Sequence, residues 1–193
     1  MNELSSDKLS QLAERISKSD KDAFDQLFRE LYASLVRYAF SYLKDKSSAS
    51  DITQDAFIKL WHKRETIDAD LSIKAYLYKM VRNLSLNQLR NRSYEDVGLE
   101  LVDLSAENSL QYESEDDGTN HQLELLKQWI MKLPERQREA FRLSRYEGLD
   151  HEEIAEVMNV SKWTVNNHIV QAMKNIQSYY DDHYSEIRKI GYG

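Results

Sequence analysis

The chain has no cysteine among its 193 residues. It therefore carries no disulfide, no thiolate metal site and no cysteine nucleophile, a composition that fits a reducing cytoplasm. It has one proline and five glycines, so few positions force a turn. The apolar pattern is helical nearly throughout, with no strand-like alternation and no two-residue hairpin signal. No apolar run approaches membrane-spanning length. The opening residues, MNELSSDKLSQ, are polar and lack an apolar signal core. A phosphate-binding glycine-rich loop, a Cys/His cluster and a nucleophile elbow are all missing. His151-Glu152 begins like a zinc-protease helix, but the second ligand would stand at Ala155. The five histidines, His62, His121, His151, His168 and His183, are scattered and read as surface residues or minor DNA contacts rather than ligands. The expectation is a cytoplasmic protein without membrane insertion, with no catalytic residue, no metal and no cofactor.

Length allows one domain or two small ones, and charge favours two. The formal net charge is −7, and it is unevenly spread. Residues 94–120 hold nine acids (Glu95, Asp96, Glu100, Asp103, Glu107, Glu113, Glu115, Asp116 and Asp117) and no Lys or Arg. The segments on either side are near neutral. This acidic stretch, with its Ser, Asn and Gly, reads as a flexible linker. The fold class expected is all-α. A helical domain over residues 1–93 is joined by an acidic linker, 94–121, to a second helical domain over 122–193.

The densest pattern lies in residues 134–176, PERQREAFRLSRYEGLDHEEIAEVMNVSKWTVNNHIVQAMKNI. Pro134 suits the first turn of a helix. Ala140, Phe141 and Leu143 give that helix an apolar side, and Gly148 can end it in a left-handed conformation. Asp150 with Glu153 three residues on makes a capping box. Ile154, Ala155 and Met158 line the inner face of the next helix. Asn159 tolerates the positive φ that a sharp turn needs, and Ser161 caps the following helix. Val165, Ile169, Ala172, Met173 and Ile176 then form a buried stripe. This is a helix-turn-helix, and its second helix fits a DNA major groove. Lys162, Trp163, Asn166, Asn167 and Lys174 lie off the stripe. The first four sit at the end that usually meets base edges. Asn can pair with adenine, and Lys can reach guanine or phosphate. Trp163 equally suits packing against a neighbouring helix.

Four helices are legible in the N-terminal half. Leu9, Leu12, Ala13 and Ile16 mark the first. Ser19 is the expected cap of a long second helix, with Phe24, Leu27, Phe28, Leu31, Leu35, Val36, Ala39, Tyr42 and Leu43 inward. KDKSSAS breaks the chain before a third helix from about Ala49 to Lys63, burying Ile52, Ala56 and Leu60. A fourth runs from about Ile73 to Arg92, burying Leu77, Met80, Val81 and Leu84. On the third helix, Asp51, Gln54 and Asp55 share one acidic face. Carboxylates near a helix start also arise for dipole reasons alone. On the fourth, Tyr76, Lys79, Arg82, Asn83 and Arg90 fall roughly along one basic stripe. Such a stripe with an aromatic beside it suits single-stranded DNA, and it equally suits a solvated helix face.

Together these residues resemble a bacterial RNA polymerase sigma factor of the extracytoplasmic-function group. DITQDAFIKLW followed by IKAYLYKMVRNLSLNQLRNR is similar to the family's region two. LPERQREAF and YEGLDHEEIAEVMNVSKWTVNNHI are similar to its region four. The resemblance implies an alternative sigma factor that binds core RNA polymerase and directs promoter-specific initiation. It assigns Asp51, Gln54 and Asp55 to the clamp helices of the polymerase's largest subunit. It assigns the loop Asp68–Ile73, with Tyr76 and Asn83, to an unpaired base of the minus-ten element, and Lys79, Arg82 and Arg90 to nearby phosphates. Lys162, Trp163, Asn166 and Asn167 would read the minus-thirty-five element. The partners implied are core polymerase, including the flap of its second subunit, promoter DNA and an anti-sigma factor. The competing reading is a stand-alone helix-turn-helix regulator, because TVNNHI is also similar to LuxR-type proteins. Its N-terminal half would then sense a ligand or dimerise, yet that half shows no obvious ligand-pocket residues.

Overall fold

The computed structural model describes residues 6–67, 72–95 and 119–190. Among them are eight α-helices, one 3-10 turn and no strand. The chain divides into two compact units, Met1–Asn108 and Ser109–Gly193.

The first unit holds α1 (Ser6–Ser17), α2 (Lys21–Leu43), α3 (Lys46–His62) and α4 (Ile73–Glu95). Helix α2 is its axis, packed by α1, α3 and α4. Its inner face is Ala23, Leu27, Leu31, Leu35, Tyr38, Ala39 and Leu43. Phe24, Phe28, Val36 and Tyr42, also expected inward, are half-buried. Phe24 and Phe28 close on Phe57 and Trp61 of α3, with ring centroids 4.8–6.0 Å apart. Tyr38 meets Tyr78 of α4 at 5.1 Å. These aromatic pairs add to area burial about 0.5–1.5 kcal/mol each.

Two helix starts differ from the sequence reading. Helix α2 is capped by Asp20, whose carboxylate accepts from the Ala23 amide at 3.1 Å. Ser19 instead takes a positive φ of 66°, and its hydroxyl accepts from Arg64 Nε at 2.8 Å. The break after α2 is only Lys44 and Asp45. Lys44 adopts φ 55°, and Asp45 caps α3 by accepting from the Ser48 amide at 2.8 Å. Helix α3 thus begins at Lys46, three residues before the expected start. Arg64 stacks on Trp61 and donates to the Trp61 carbonyl at 2.9 Å, tying the end of α3 to the α1–α2 corner. Arg92 donates to Ser48 Oγ at 2.8 Å, tying α4 to the start of α3.

The second unit holds α5 (Thr119–Lys132), α6 (Glu135–Arg145), α7 (His151–Met158) and α8 (Lys162–Ile190). Ile130, Leu133 and Ala172 form a buried cluster, with Leu126, Phe141, Ile176 and Tyr179 packed on it. Trp129 of α5 lies edge-on to Tyr180 and His183 near the far end of α8. Pro134 is the N-cap of α6 rather than its first-turn residue. Of the expected acidic linker, residues 96–118 lie outside the described residues. Both its edges are helical, α4 reaching Glu95 and α5 beginning at Thr119.

Candidate polymerase-docking and promoter-binding surfaces

Helix α3 has two distinct faces. Ile52, Thr53, Ala56, Phe57 and Leu60 are buried. Asp51, Gln54 and Asp55 are exposed on the opposite side. Because α3 starts at Lys46, its first turn holds no acid. The dipole effect fades beyond that turn, so helix stabilisation does not account for Asp51 and Asp55. Ile58, 53% exposed, continues the same face at i+7 from Asp51. The face is therefore acidic and hydrogen-bonding with one apolar member. Ile58 was missed by the sequence reading. Its signal was an Ile placed off the buried stripe, seven residues beyond Asp51.

Helix α4 is capped by Ser72, whose hydroxyl accepts from the Ala75 amide at 3.1 Å. Its inner stripe is Ile73, Ala75, Leu77, Tyr78, Val81, Arg82 and Ser85. Met80 and Leu84, expected buried, are half-buried. Arg82 thus departs from the expected basic stripe. It is only 6% exposed, because it stands four residues after buried Tyr78 and beside Val81 on the inward side. Asn83 and Arg90 are exposed, and Tyr76 and Lys79 are half-buried. Arg90 donates to Asn87 Oδ1 at 3.3 Å. In the loop expected to hold an unpaired base, Asp68–Leu71 lie outside the described residues.

The helix-turn-helix is built by local chemistry. Asp150 Oδ1 accepts from the amides of Glu152 at 2.7 Å and Glu153 at 2.9 Å. Glu153 Oε2 accepts from the Asp150 amide at 2.8 Å, completing a capping box. Asn159 takes φ 55° and ψ 52°, and Gly148 takes φ 63°. Ser161 Oγ accepts from the Thr164 amide at 3.1 Å. Ile154, Val157 and Met158 are buried on α7, and Val165, Ile169 and Ala172 on α8. Ala155 and Ile176 are half-buried. Met173 leaves the expected stripe and is 49% exposed, because four residues advance a helix by more than a full turn. Arg145 donates to its sulfur at 3.6 Å.

Lys162, Trp163, Asn166 and Lys174 are exposed, and Asn167 is half-buried. Trp163, at 74% exposure, packs on no core. Helical rotation places these five on an arc of about 140° beside the buried stripe. Lys162 forms an ion pair with Glu152 of α7. That hydrogen bond and charge, with Asp150 adding a smaller charge, hold the Lys162 amine above its usual pKa. Among the described residues no three His, Cys, Asp or Glu converge to hold a metal, and no helix is long and apolar enough to cross a membrane.

A second helix presenting Lys, Trp and Asn from a helix-turn-helix, in a chain with a separate helical unit bearing acidic and basic faces, defines a DNA-binding protein of transcription. Residues 27–94 match the family described as Sigma-70 region 2, and residues 123–176 match Sigma-70, region 4. RNA polymerase sigma-H factor of Pseudomonas aeruginosa is 30% identical over 180 residues, covering 86% of this chain and 90% of that one. The ECF RNA polymerase sigma-E factor of Escherichia coli is 30% identical over 179 residues, covering 86% and 91%. The sigma factor RpoE of Bartonella quintana, solved in complex with the anti-sigma factor NepR, is 25% identical with a TM-score of 0.63, covering 82% of this chain and 96% of that one. The chain belongs to the sigma-70 family, in its extracytoplasmic-function group. It is an alternative sigma factor that binds core RNA polymerase and promoter DNA and directs transcription initiation. The stand-alone-regulator reading is not favoured. Sigma factors are not, in general, catalytic enzymes.

Proposed function

We propose that Asp51, Gln54, Asp55 and Ile58 form the face that docks on the clamp helices of the polymerase's largest subunit. The observation that carries this is their shared exposure on α3, opposite a fully buried face and beyond the reach of the helix dipole. The residue 1–93 domain then serves docking and the minus-ten element. Tyr76, Lys79, Asn83 and Arg90 hold one unpaired strand, the ring stacking on a base and the cations meeting phosphates. Arg82 supports them from the buried side of α4. Opening is driven by differential binding: single-stranded DNA gains stacking that the duplex cannot offer, about 1–3 kcal/mol per base. That biases melting without forcing it.

The residue 122–193 domain reads the minus-thirty-five element through Lys162, Trp163, Asn166, Asn167 and Lys174, and meets the flap of the second subunit. The protein works in the cytoplasm. An anti-sigma factor holds it inactive by covering the docking face and the recognition helix; that the Bartonella relative was solved in complex with an anti-sigma factor supports such a partner. The test of base reading is Asn166→Ala and Asn167→Ala in the polymerase holoenzyme. Each costs about 1–3 kcal/mol at the cognate promoter if it contacts a base edge, and relaxes preference at one base pair. A loss equal across all sequences refutes base reading there.

A further inference from the structure

The cations on α8 from Lys162 to Asn175 are Lys162 and Lys174, twelve residues apart. Lys162 stands at the helix end aimed at DNA, and Glu152 of the preceding helix holds it. Glu152 is free to do so because its neighbour Glu153 is committed to the Asp150 amide, and the cap is completed by Asp150 itself. The start of the recognition helix is thereby a neutral pair rather than a cation. An ammonium has three N–H donors. Glu152 takes one, and two remain.

We infer that Glu152 is a specificity-determining positioning residue, which holds Lys162 as a hydrogen-bond donor for a guanine edge and withholds its charge from phosphate. The inference rests on the reading of α8 as the promoter-facing helix. Phosphate attraction depends on net charge and carries no sequence information. A guanine offers O6 and N7, two neutral acceptors that the remaining donors of one ammonium can meet. A lysine neutralised by Glu152 gains little on phosphate, where the carboxylate would be brought against the DNA charge, and keeps two N–H donors for the base edge. Glu152 thus lowers sequence-independent binding and favours the cognate element. Both side chains are exposed, so the pair matters for binding rather than for folding.

The experiment uses holoenzyme formed from core polymerase and the full chain, as wild type, E152Q, K162M, N166A and the E152Q/K162M double variant. The probes are a duplex of scrambled sequence and the duplex that wild-type holoenzyme enriches from a randomised pool. E152Q is expected to bind the scrambled duplex about two- to five-fold more tightly, the strength of one exposed ion pair. Its slope of log affinity against log salt steepens by about 0.9, one added phosphate contact. Preference at one position of the enriched duplex relaxes. None of the three changes appears when the double variant is compared with K162M alone. If E152Q leaves slope and preference unchanged while K162M and N166A weaken the enriched duplex, the inference is overturned and the reading of α8 stands. If K162M and N166A leave both probes unaffected, that reading itself fails, and the inference with it.

Discussion

Replacing Asp150 with Ala removes the N-cap of α7, the first helix of the helix-turn-helix, while leaving every residue assigned to DNA in the chain. Helix α7 has eight residues, His151–Met158, too short to persist by propensity alone. Asp150 Oδ1 satisfies two of the amides that such a helix leaves open, at 2.7 and 2.9 Å. The variant loses both bonds and frees Glu153 from its place on the Asp150 amide. Loss of an N-cap side chain costs about 0.5–2 kcal/mol, and the doubled acceptance here puts the expected value near the upper half, about 1–2 kcal/mol. In a unit of 60–100 residues, 1 kcal/mol lowers the melting temperature by about 4–8 °C. The two units need not unfold together, so a single global midpoint is a poor assay. Amide exchange resolves the effect. The Ile154 amide, which donates to the Asp150 carbonyl at 2.9 Å, should lose protection by about 5- to 30-fold, while α2 and α3 amides keep theirs. Promoter affinity should fall through loss of the α7 support for α8. Unchanged exchange at Ile154 would refute the claim that this box holds the motif together.

Three further outcomes concern the first unit. Arg82→Ala should destabilise that unit by about 1–3 kcal/mol, since a nearly buried arginine leaves its packing and its partners behind. Arg90→Ala, on an exposed site, should leave stability unchanged and weaken minus-ten strand binding equally across sequences. Thermal melts paired with strand binding separate the two. Asp20 is held below the usual aspartate pKa by the Ala23 amide and then Arg15, and Asp45 by the Ser48 hydroxyl and amide. A depressed folded-state pKa stabilises above the unfolded value, about 4, and is lost as pH falls through the folded one. Acid melting of the first unit should therefore flatten below about pH 4 in Asp20→Asn and Asp45→Asn, read by circular dichroism.

What was legible in the sequence was mostly what short-range chemistry decides. The box at Asp150 and Glu153, the left-handed Asn159 and the cap at Ser161 each depend on residues within a single turn, and each is where the sequence places it. The α3 start was hidden because KDKSSAS is rich in turn formers. Lys44 alone takes the reversal, which lets Asp45 cap and leaves the serines inside the helix. Helix α5 was not read as a separate element, since its apolar side is defined by Ala172 and Tyr179 far along the chain. Arg82 is nearly buried although the sequence places it on a basic stripe, and Tyr78, absent from the expected core, is fully buried. Their placement follows from packing of α4 on α2, and Tyr38 against Tyr78 is a contact between residues 40 apart that no local pattern carries. Met173 errs the other way, apolar by type and exposed by helical phase. On the candidate site, the acidic face of α3 was visible from spacing alone. Its apolar member, Ile58, stands off the stripe of Ile52, Ala56 and Leu60 by helical phase, but its residue type points to a core.

The most direct test of the account is co-elution of the purified chain with bacterial core RNA polymerase, set beside a triple variant, Asp51→Ala with Gln54→Ala and Asp55→Ala, and beside Ile58→Asp. All four residues are exposed, so both variants should keep the wild-type fold by circular dichroism. The wild-type chain should co-elute, and each variant should be lost from the polymerase peak. Variants that co-elute as fully as the wild type would contradict the assignment of this face. A purified chain that binds duplex DNA but never the polymerase would contradict the role as a sigma factor.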